Sequence, residues 1–87
     1  MLEAGQNPQA APVREPTFGE KAVGLSFNPS GNMHVHNCKL GFARLIDQMH
    51  ELRNNANSSD QARHAALAIT ALEDAQMRAV KALTWSA

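Results

Sequence analysis

The sequence lacks a net charge, a long apolar run and a second cysteine. Eight Lys and Arg residues balance eight Asp and Glu residues, so the chain has no net positive field of the kind that binders of long DNA or RNA use. No run of about 18 apolar residues is present, and the first residues, MLEAGQNPQ, do not form a secretion signal. A lone Cys38 fits a reducing compartment. We therefore expect a soluble, cytoplasmic protein whose partners include neither long nucleic acid nor a membrane.

Aromatic residues are also scarce, with three Phe, one Trp and no Tyr, so an aromatic outside a helix needs a specific reason. A chain of 87 residues forms one domain with a small core. Residues 1–16 carry three prolines among Gln, Ala and Asn, a composition that buries too little apolar surface to offset the entropy of ordering. The sequence predicts a flexible tail over residues 1–16 and one folded domain over residues 17–87.

Two long helices account for most of that domain. Residues 61–85 lack Gly and Pro and are dense in strong helix formers, which predicts a helix about 37 Å long. Leucines, Ile69, Val80 and seven of the eight alanines cover most of its circumference, so we expect it to be buried on more than one side.

An earlier helix is predicted over residues 33–54, after the turn-forming run NPSGN, in which Ser30 or Asn32 can cap the helix. Its apolar residues alternate at spacings of three and four, which is typical of a coiled-coil seam. Gly41 within it often marks close approach by another backbone or a ligand. The predicted seam is formed by Val35, Cys38, Phe42, Leu45, Met49 and Leu52, flanked by Ile46, and the predicted solvated positions are Asp47, Gln48, Glu51 and Arg53.

A short polar connection joins the two helices. Ser58 and Gln61 form a capping-box pattern, and a connection of about four residues makes the helices antiparallel neighbours. Residues 17–27 contain Gly19 and Gly24, which interrupt helical and strand patterns alike, so this segment is expected to lie extended across the helices. The predicted fold class is all-α: an antiparallel two-helix hairpin with an N-terminal extension.

Such a hairpin buries little apolar surface, and scaffolds of this size usually need disulfides, metals or association. The small alanine side chains of the second helix let helices approach closely. We expect the hairpins to assemble into a homo-oligomeric helical bundle, anywhere from a dimer to a hexamer.

The sequence offers no convincing catalytic or metal-binding group. His34, His36 and Cys38 are two residues apart, so on a helix they point about 200° apart and do not converge on one ion. His50 and His64 lack companion acids and are expected at the surface. No nucleophile is paired with a base. We therefore expect neither an enzyme nor a bound metal or cofactor.

The most informative cluster is formed by residues 27–32 and Lys39. A helix N-terminus offers N–H groups and a positive dipole that favour phosphate, and a nearby Lys adds charge. Phe27 beside them is placed to stack on a base. The alternative interpretation is that Phe27 packs as a hydrophobic staple at the helix entry and that Lys39 is solvated.

Two motifs resemble a known family. FNPSGN before a helix, together with AITALEDAQMRAVKALTW, is similar to the small phage proteins of the anti-CBASS and anti-Thoeris hairpin family. The resemblance covers residues 27–85. The family pattern Ala-x-Thr-x-Leu-Glu-x-Ala-x-Met is matched by Ala68, Thr70, Leu72, Glu73, Ala75 and Met77.

The resemblance implies a non-enzymatic sponge in the host bacterial cytoplasm, which sequesters cyclic dinucleotides, cyclic trinucleotides or cyclic ADP-ribose isomers between protomers. In some members a Tyr before the first long helix stacks on a base, and a Lys or Arg in that helix contacts phosphate. Phe27 and Lys39 are the nearest equivalents, although this chain has no Tyr and a shorter spacing. Arg63 and Lys81 match basic positions on the family's second helix and are weaker candidates, for a second pocket. The implied ligand-binding set is Phe27, Asn28, Ser30, Asn32, Lys39, Arg63 and Lys81. A structural or partner-binding hairpin without a small ligand is the alternative function.

Overall fold

The computed structural model describes residues 14–86, and this part of the chain contains three helices and no strand. They are α1 (Phe18–Val23), α2 (Met33–Asn54) and α3 (Ser59–Leu83). α2 and α3 pack along each other as an antiparallel hairpin, and α1 lies mainly against α2. None of the three is long and apolar enough to cross a bilayer.

The all-helical class and the hairpin are therefore confirmed, and the predicted bounds of α2 match the structure. α3 begins and ends two residues earlier than predicted, at Ser59 and Leu83. Most of the predicted flexible tail, residues 1–13, lies outside the described residues, so that prediction stays untested.

The capping residues fix where α2 and α3 begin. Asn32 Oδ1 accepts hydrogen bonds from the backbone N–H groups of His34 at 2.8 Å and Val35 at 3.2 Å. Ser58 Oγ accepts from Gln61 N–H at 3.1 Å, as the capping pattern predicts. The return bond is shifted by one residue, because Gln61 Oε1 accepts from the Asn57 N–H at 2.7 Å.

The expectation that residues 17–27 lie extended is wrong, because they contain α1. Thr17 closes a capping box with Glu20: its hydroxyl accepts from the Glu20 N–H at 3.1 Å, and its own N–H donates to Glu20 Oε1 at 3.0 Å. Gly24 ends the helix with φ of 62°, a conformation that favours glycine. One of the two glycines therefore terminates a helix that their presence seemed to exclude.

The other glycine lets α1 dock on α2. A Cβ atom at Gly19 would collide with the carbonyl group of Ala43 and lie 2.9 Å from Asp47 Oδ1. The Gly19 N–H donates to Asp47 Oδ1 at 2.6 Å. Asp47 was predicted to be solvated, and this is wrong because its carboxylate is half-buried against α1. Val23 then enters the core beside Ile46.

The core is centred on Val23, Ala43, Ile46 and Ile69, with Phe42, Met49 and Leu72 packed around them. This differs from the predicted seam of α2. Leu45 is 48% exposed and Leu52 is 38% exposed, whereas Lys39 and Ala43, which the apolar pattern left out, are buried. α1 and α3 pack on the same side of α2, so residues on that side are buried even where they are not apolar. The apolar residues on the opposite side of α2 form a second stripe that faces outward.

That outer stripe of α2 is formed by Cys38, Gly41, Leu45 and Leu52. Cys38, Gly41 and Leu45 line a shallow groove of about 260 Å³. A Cβ atom at Gly41 would meet nothing within 4 Å, so no part of the described chain makes the close approach that this glycine suggested. α3 likewise leaves apolar residues exposed, including Leu67 and Met77.

The two histidines near the hairpin turn differ from each other. His64 is exposed as predicted. His50 is half-buried, which contradicts the prediction: its ring stacks on Phe18 with centroids 3.9 Å apart and an interplanar angle of 1°. Arg53 Nη2 lies 2.8 Å from His50 Nδ1. Since a guanidinium only donates, Nδ1 is the acceptor in this contact.

Candidate functional site

The loop between α1 and α2, residues 24–32, is held by its own hydrogen bonds. The Phe27 N–H donates to the Gly24 carbonyl at 2.9 Å, and the Gly31 N–H donates to the Asn28 carbonyl at 3.0 Å. The Asn28 side chain donates to the Asn32 carbonyl at 2.8 Å and accepts from the Asn32 N–H at 3.2 Å. Asn28 and Asn32 therefore have structural roles, and Ser30 between them is exposed.

The N-terminus of α2 is largely occupied by its own cap. The N–H groups of His34 and Val35 donate to Asn32 Oδ1, and the His36 N–H donates to the Asn32 carbonyl at 3.0 Å. The expectation that free N–H groups await a phosphate is wrong for these three residues. An anion at this helix end would have to displace the cap.

Lys39 is buried, with 5% of its surface exposed. Its Nζ donates to the carbonyl of Phe27 at 2.6 Å and to that of Gly24 at 3.0 Å. The alternative interpretation of Lys39 as a solvated side chain is therefore wrong. No carboxylate within residues 14–86 forms an ion pair with it. Its hydrogen-bond partners are therefore two backbone carbonyl groups.

The Phe27 ring lies close to the Lys39 ammonium. The Phe27 side chain is 70% exposed, so it does not pack into the core as a hydrophobic staple. Lys39 Nζ lies 5.5 Å from the centroid of the ring, within the range of a cation–π contact. The structure thus brings Phe27 and Lys39 together, as the sequence suggested. The Lys39 ammonium, however, serves to hold the loop from beneath.

Two grooves flank this loop. One, which we call the loop groove, has a volume of about 590 Å³ and contains three basic side chains, Arg14, Lys21 and His36. Its remaining lining residues are Pro16, Glu20, Gly24, Leu25, Ser26 and Asn28.

Glu20 is the acidic group of the loop groove, and Arg14 partly neutralises it. Arg14 Nη2 donates to Glu20 Oε2 at 2.8 Å. This bond and, after it, the hydrogen bond from the Thr17 N–H hold the pKa of Glu20 below its ordinary value, while partial desolvation opposes them. Within residues 14–86, Lys21 and His36 are thus the basic groups of this groove that do not form an ion pair with a carboxylate.

The second groove, which we call the seam groove, lies between α1 and the C-terminal half of α3 and has a volume of about 610 Å³. It shares Lys21 and Gly24 with the loop groove, so the two grooves meet at the end of α1. Its lining residues are Lys21, Ala22, Val23, Gly24, Lys39, Glu73, Asp74, Gln76, Met77 and Val80.

Arg63 and Lys81 lie away from each other on α3. They are 18 residues apart, or about 27 Å along a helix, so one pocket of a single chain does not hold both. Arg63 pairs with Asp60 at 3.5 Å. Lys81 Nζ lies 5.8 Å from the centroid of the exposed Trp85 ring, and both line a shallow groove of about 540 Å³ with Arg78 and Ala82.

Sequence reasoning missed Arg14, Lys21, His36 and Gln76 as lining residues. Gln76 is the least expected of them, because a glutamine is normally exposed. A signal for it existed: Gln76 is seven residues after the core residue Ile69, on the same face of α3. Within residues 14–86 no group of three His, Cys, Asp or Glu side chains is placed to hold a metal ion.

Comparison with known proteins gives one match. A family model described as the Acb2/Tad1 hairpin domain matches residues 20–84, which is 65 of the 87 residues. The matched region begins within α1 and includes the loop, α2 and α3. No curated protein and no solved structure matches the chain.

Proposed function

Because the chain belongs to the Acb2/Tad1 hairpin family, we propose that it is a phage anti-defence sponge. It binds cyclic oligonucleotide or cyclic ADP-ribose type immune signals in the host bacterial cytoplasm and keeps them from CBASS or Thoeris effectors. Sequestration requires tight binding without turnover, so the chain needs no catalytic groups.

The observation that carries this proposal is the exposed Phe27 ring on a loop that is already ordered. A ring that is 70% exposed in a protein with few aromatics leaves apolar surface in water, a cost that a stacked base would remove. Two bonds from Lys39 and the turn at Asn28 hold the backbone around it. Ordering the loop therefore adds little entropic cost to binding.

The loop groove is the better candidate for binding the phosphates of the ligand. Lys39 was our first candidate for a phosphate contact, but its ammonium already donates to two carbonyl oxygens, which would repel an anion. Lys21 and His36 line the loop groove without a carboxylate partner within residues 14–86. We assign the phosphate contact to Lys21, with Arg14 and His36 beside it, and a supporting role to Lys39.

The sponge acts as a homo-oligomer in this proposal. The outer stripe of α2 and the exposed Leu67 and Met77 of α3 are apolar surfaces that the described chain leaves uncovered. A cyclic dinucleotide is close to two-fold symmetric, and a two-fold interface presents each aromatic and each basic group twice. Few residues per chain then suffice for a complete pocket.

Isothermal titration calorimetry with a panel of cyclic dinucleotides, cyclic trinucleotides and cyclic ADP-ribose tests the proposal. At least one ligand should bind, and it should be recovered unchanged by chromatography. A linear dinucleotide of the same bases is the matched control and should bind less tightly, because it loses more conformational entropy on binding. If no cyclic ligand binds at micromolar concentration, the chain is better described as a partner-binding hairpin.

A further inference from the structure

Gln76 is a buried amide without a visible partner. Only 5% of its surface is exposed, and among residues 14–86 no hydrogen bond to its side chain is formed. The amide has two donors and an acceptor oxygen. Burying such a group unpaired costs stability, so its presence on a core face calls for an explanation.

Lys39 is at the same level of the hairpin but does not provide that partner. Ile46 and Ile69 belong to one core cluster, and Lys39 is seven residues before the first, as Gln76 is seven residues after the second. In an antiparallel pair these offsets place the two polar residues at one level, and both line the seam groove. The ammonium of Lys39 is directed to Gly24 and Phe27 instead.

The charges of the seam groove do not favour an anion. Lys21 and Lys39 are offset by Glu73 and Asp74, which line the same groove. The walls between them include Val23, Met77 and Val80. Apolar walls with a small number of polar groups are typical of ligand sites. The balanced charges suit an uncharged part of a ligand better than a phosphate. A volume of about 610 Å³ exceeds what a single heteroaromatic ring system needs.

We propose that the seam groove receives one base of the cyclic nucleotide and that Gln76 recognises the edge of that base. This inference rests on the proposed function and extends it to base specificity. A glutamine amide pairs with adenine through two hydrogen bonds, in which Nε2 donates to N7 and Oε1 accepts from the N6 amino group. Adenine is therefore the base that the groove prefers.

This arrangement is consistent with the geometry of the two grooves. They meet at Lys21 and Gly24, so a base in the seam groove leaves its phosphate near Lys21, at the edge of the loop groove. The seam groove thus selects the base, and the basic side chains of the loop groove bind the phosphate.

The experiment compares cyclic di-adenosine monophosphate with its 7-deaza-adenine analogue, which lacks the N7 acceptor. We expect the parent protein to bind the analogue about 5- to 150-fold less tightly, because the buried Nε2 donor of Gln76 is left without its partner. In Gln76→Met the two ligands should bind with equal, reduced affinity. Gln48→Met is the matched control, because Gln48 is exposed on α2 and lines neither groove.

Thermal unfolding without ligand separates recognition from a purely structural role. Methionine fills the space of glutamine without an unpaired polar group, so Gln76→Met should melt at the parent's temperature or above it. A lower melting temperature combined with unchanged sensitivity to N7 would overturn the inference in favour of a structural role for Gln76.

The parent protein alone also decides the question if Gln76→Met does not fold. Equal affinity of the parent for both ligands would refute recognition of N7 by Gln76 and leave the proposed function intact. Absence of binding to every cyclic nucleotide would instead remove the proposed function, and this inference with it.

Discussion

The backbone N–H of Gly19 donates a 2.6 Å hydrogen bond to the carboxylate of Asp47, 28 residues later in the chain. This bond joins the first turn of α1 to the middle of α2. It forms only because Gly19 has no Cβ atom, since one would occupy the space of the Ala43 carbonyl. The position of α1, and with it the loop that carries Phe27, therefore depends on a single hydrogen atom in place of a methyl group.

Gly19→Ala should displace α1 from α2. The added methyl group meets backbone atoms that do not move easily, so we expect a loss of about 1 to 3 kcal/mol. For a domain of this size each kcal/mol lowers Tm by about 4 to 8 °C. Thermal unfolding followed by circular dichroism at fixed protein concentration measures the effect. An unchanged Tm would show that α1 does not pack as described.

Gly41→Ala tests whether another copy covers the outer stripe of α2. Nothing in the described chain lies within 4 Å of the added Cβ, so in an isolated hairpin alanine should add about 0.5 to 1 kcal/mol of helix stability. If a second helix packs closely at Gly41, the variant should instead dissociate in multi-angle light scattering. A more stable assembly of unchanged mass would place the interface elsewhere.

Lys39→Glu should unfold the loop between α1 and α2 and destabilise the hairpin. The carboxylate would be buried beside the carbonyl oxygens of Gly24 and Phe27, an uncompensated charge that costs about 3 to 5 kcal/mol. Lys21→Glu makes the same charge change at an exposed position and should melt close to the parent. Equal melting of both variants would contradict the role of Lys39.

Phe27→Ala should weaken binding of a cyclic nucleotide by about 1 to 3 kcal/mol through loss of base stacking. Stability should change little, because the ring is 70% exposed. Phe27→Tyr keeps the aromatic face and should bind like the parent. Calorimetry on both variants provides the comparison, and undiminished binding by Phe27→Ala would exclude stacking on this ring.

Glu20 should make stability depend on pH in the acid range. Its pKa in the folded protein lies below the ordinary value of 4.5, chiefly because Arg14 donates a hydrogen bond to it. The interaction therefore contributes fully above the unfolded pKa and is lost as pH falls through the lower, folded pKa.

The parent should accordingly lose more Tm below about pH 4.5 than Glu20→Gln, whose side chain does not titrate there. A chain without residues 1–13 retains Arg14 and should follow the parent. Parallel melting curves of the parent and Glu20→Gln across this range would contradict the assignment.

Local signals made α2 predictable. The turn NPSGN, the cap at Asn32 and the polar residues after Asn54 act within a few residues of the helix ends. α1 could not be predicted in this way, because its glycines are explained only by contacts with α2 and by the end of the helix at Gly24. Gly19 lies within a helix because of its contacts with Ala43 and Asp47, which follow it by 24 and 28 residues.

The sequence predicted that Phe27 and Lys39 lie close together, but it did not predict which polar side chains are buried. That Phe27 and Lys39 lie together follows from a loop that leads directly into α2. The burial of Lys39 does not follow, because its partners are backbone carbonyls, and side-chain patterns carry no information about them. Gln76 was missed for a different reason: its position on the core face of α3 is visible in the sequence, but a glutamine is normally exposed.

The connection between α2 and α3 spans only residues 55–58, and this affects how quickly the chain acquires its shape. Closing so short a loop is a submicrosecond event, and helical proteins dominated by local contacts fold within microseconds to milliseconds. Ribosomes add about 5 to 20 residues per second, so synthesis of the 87 residues takes roughly 4 to 17 s. The hairpin should therefore be formed almost as soon as it leaves the ribosome, and the rate of translation sets when it becomes available.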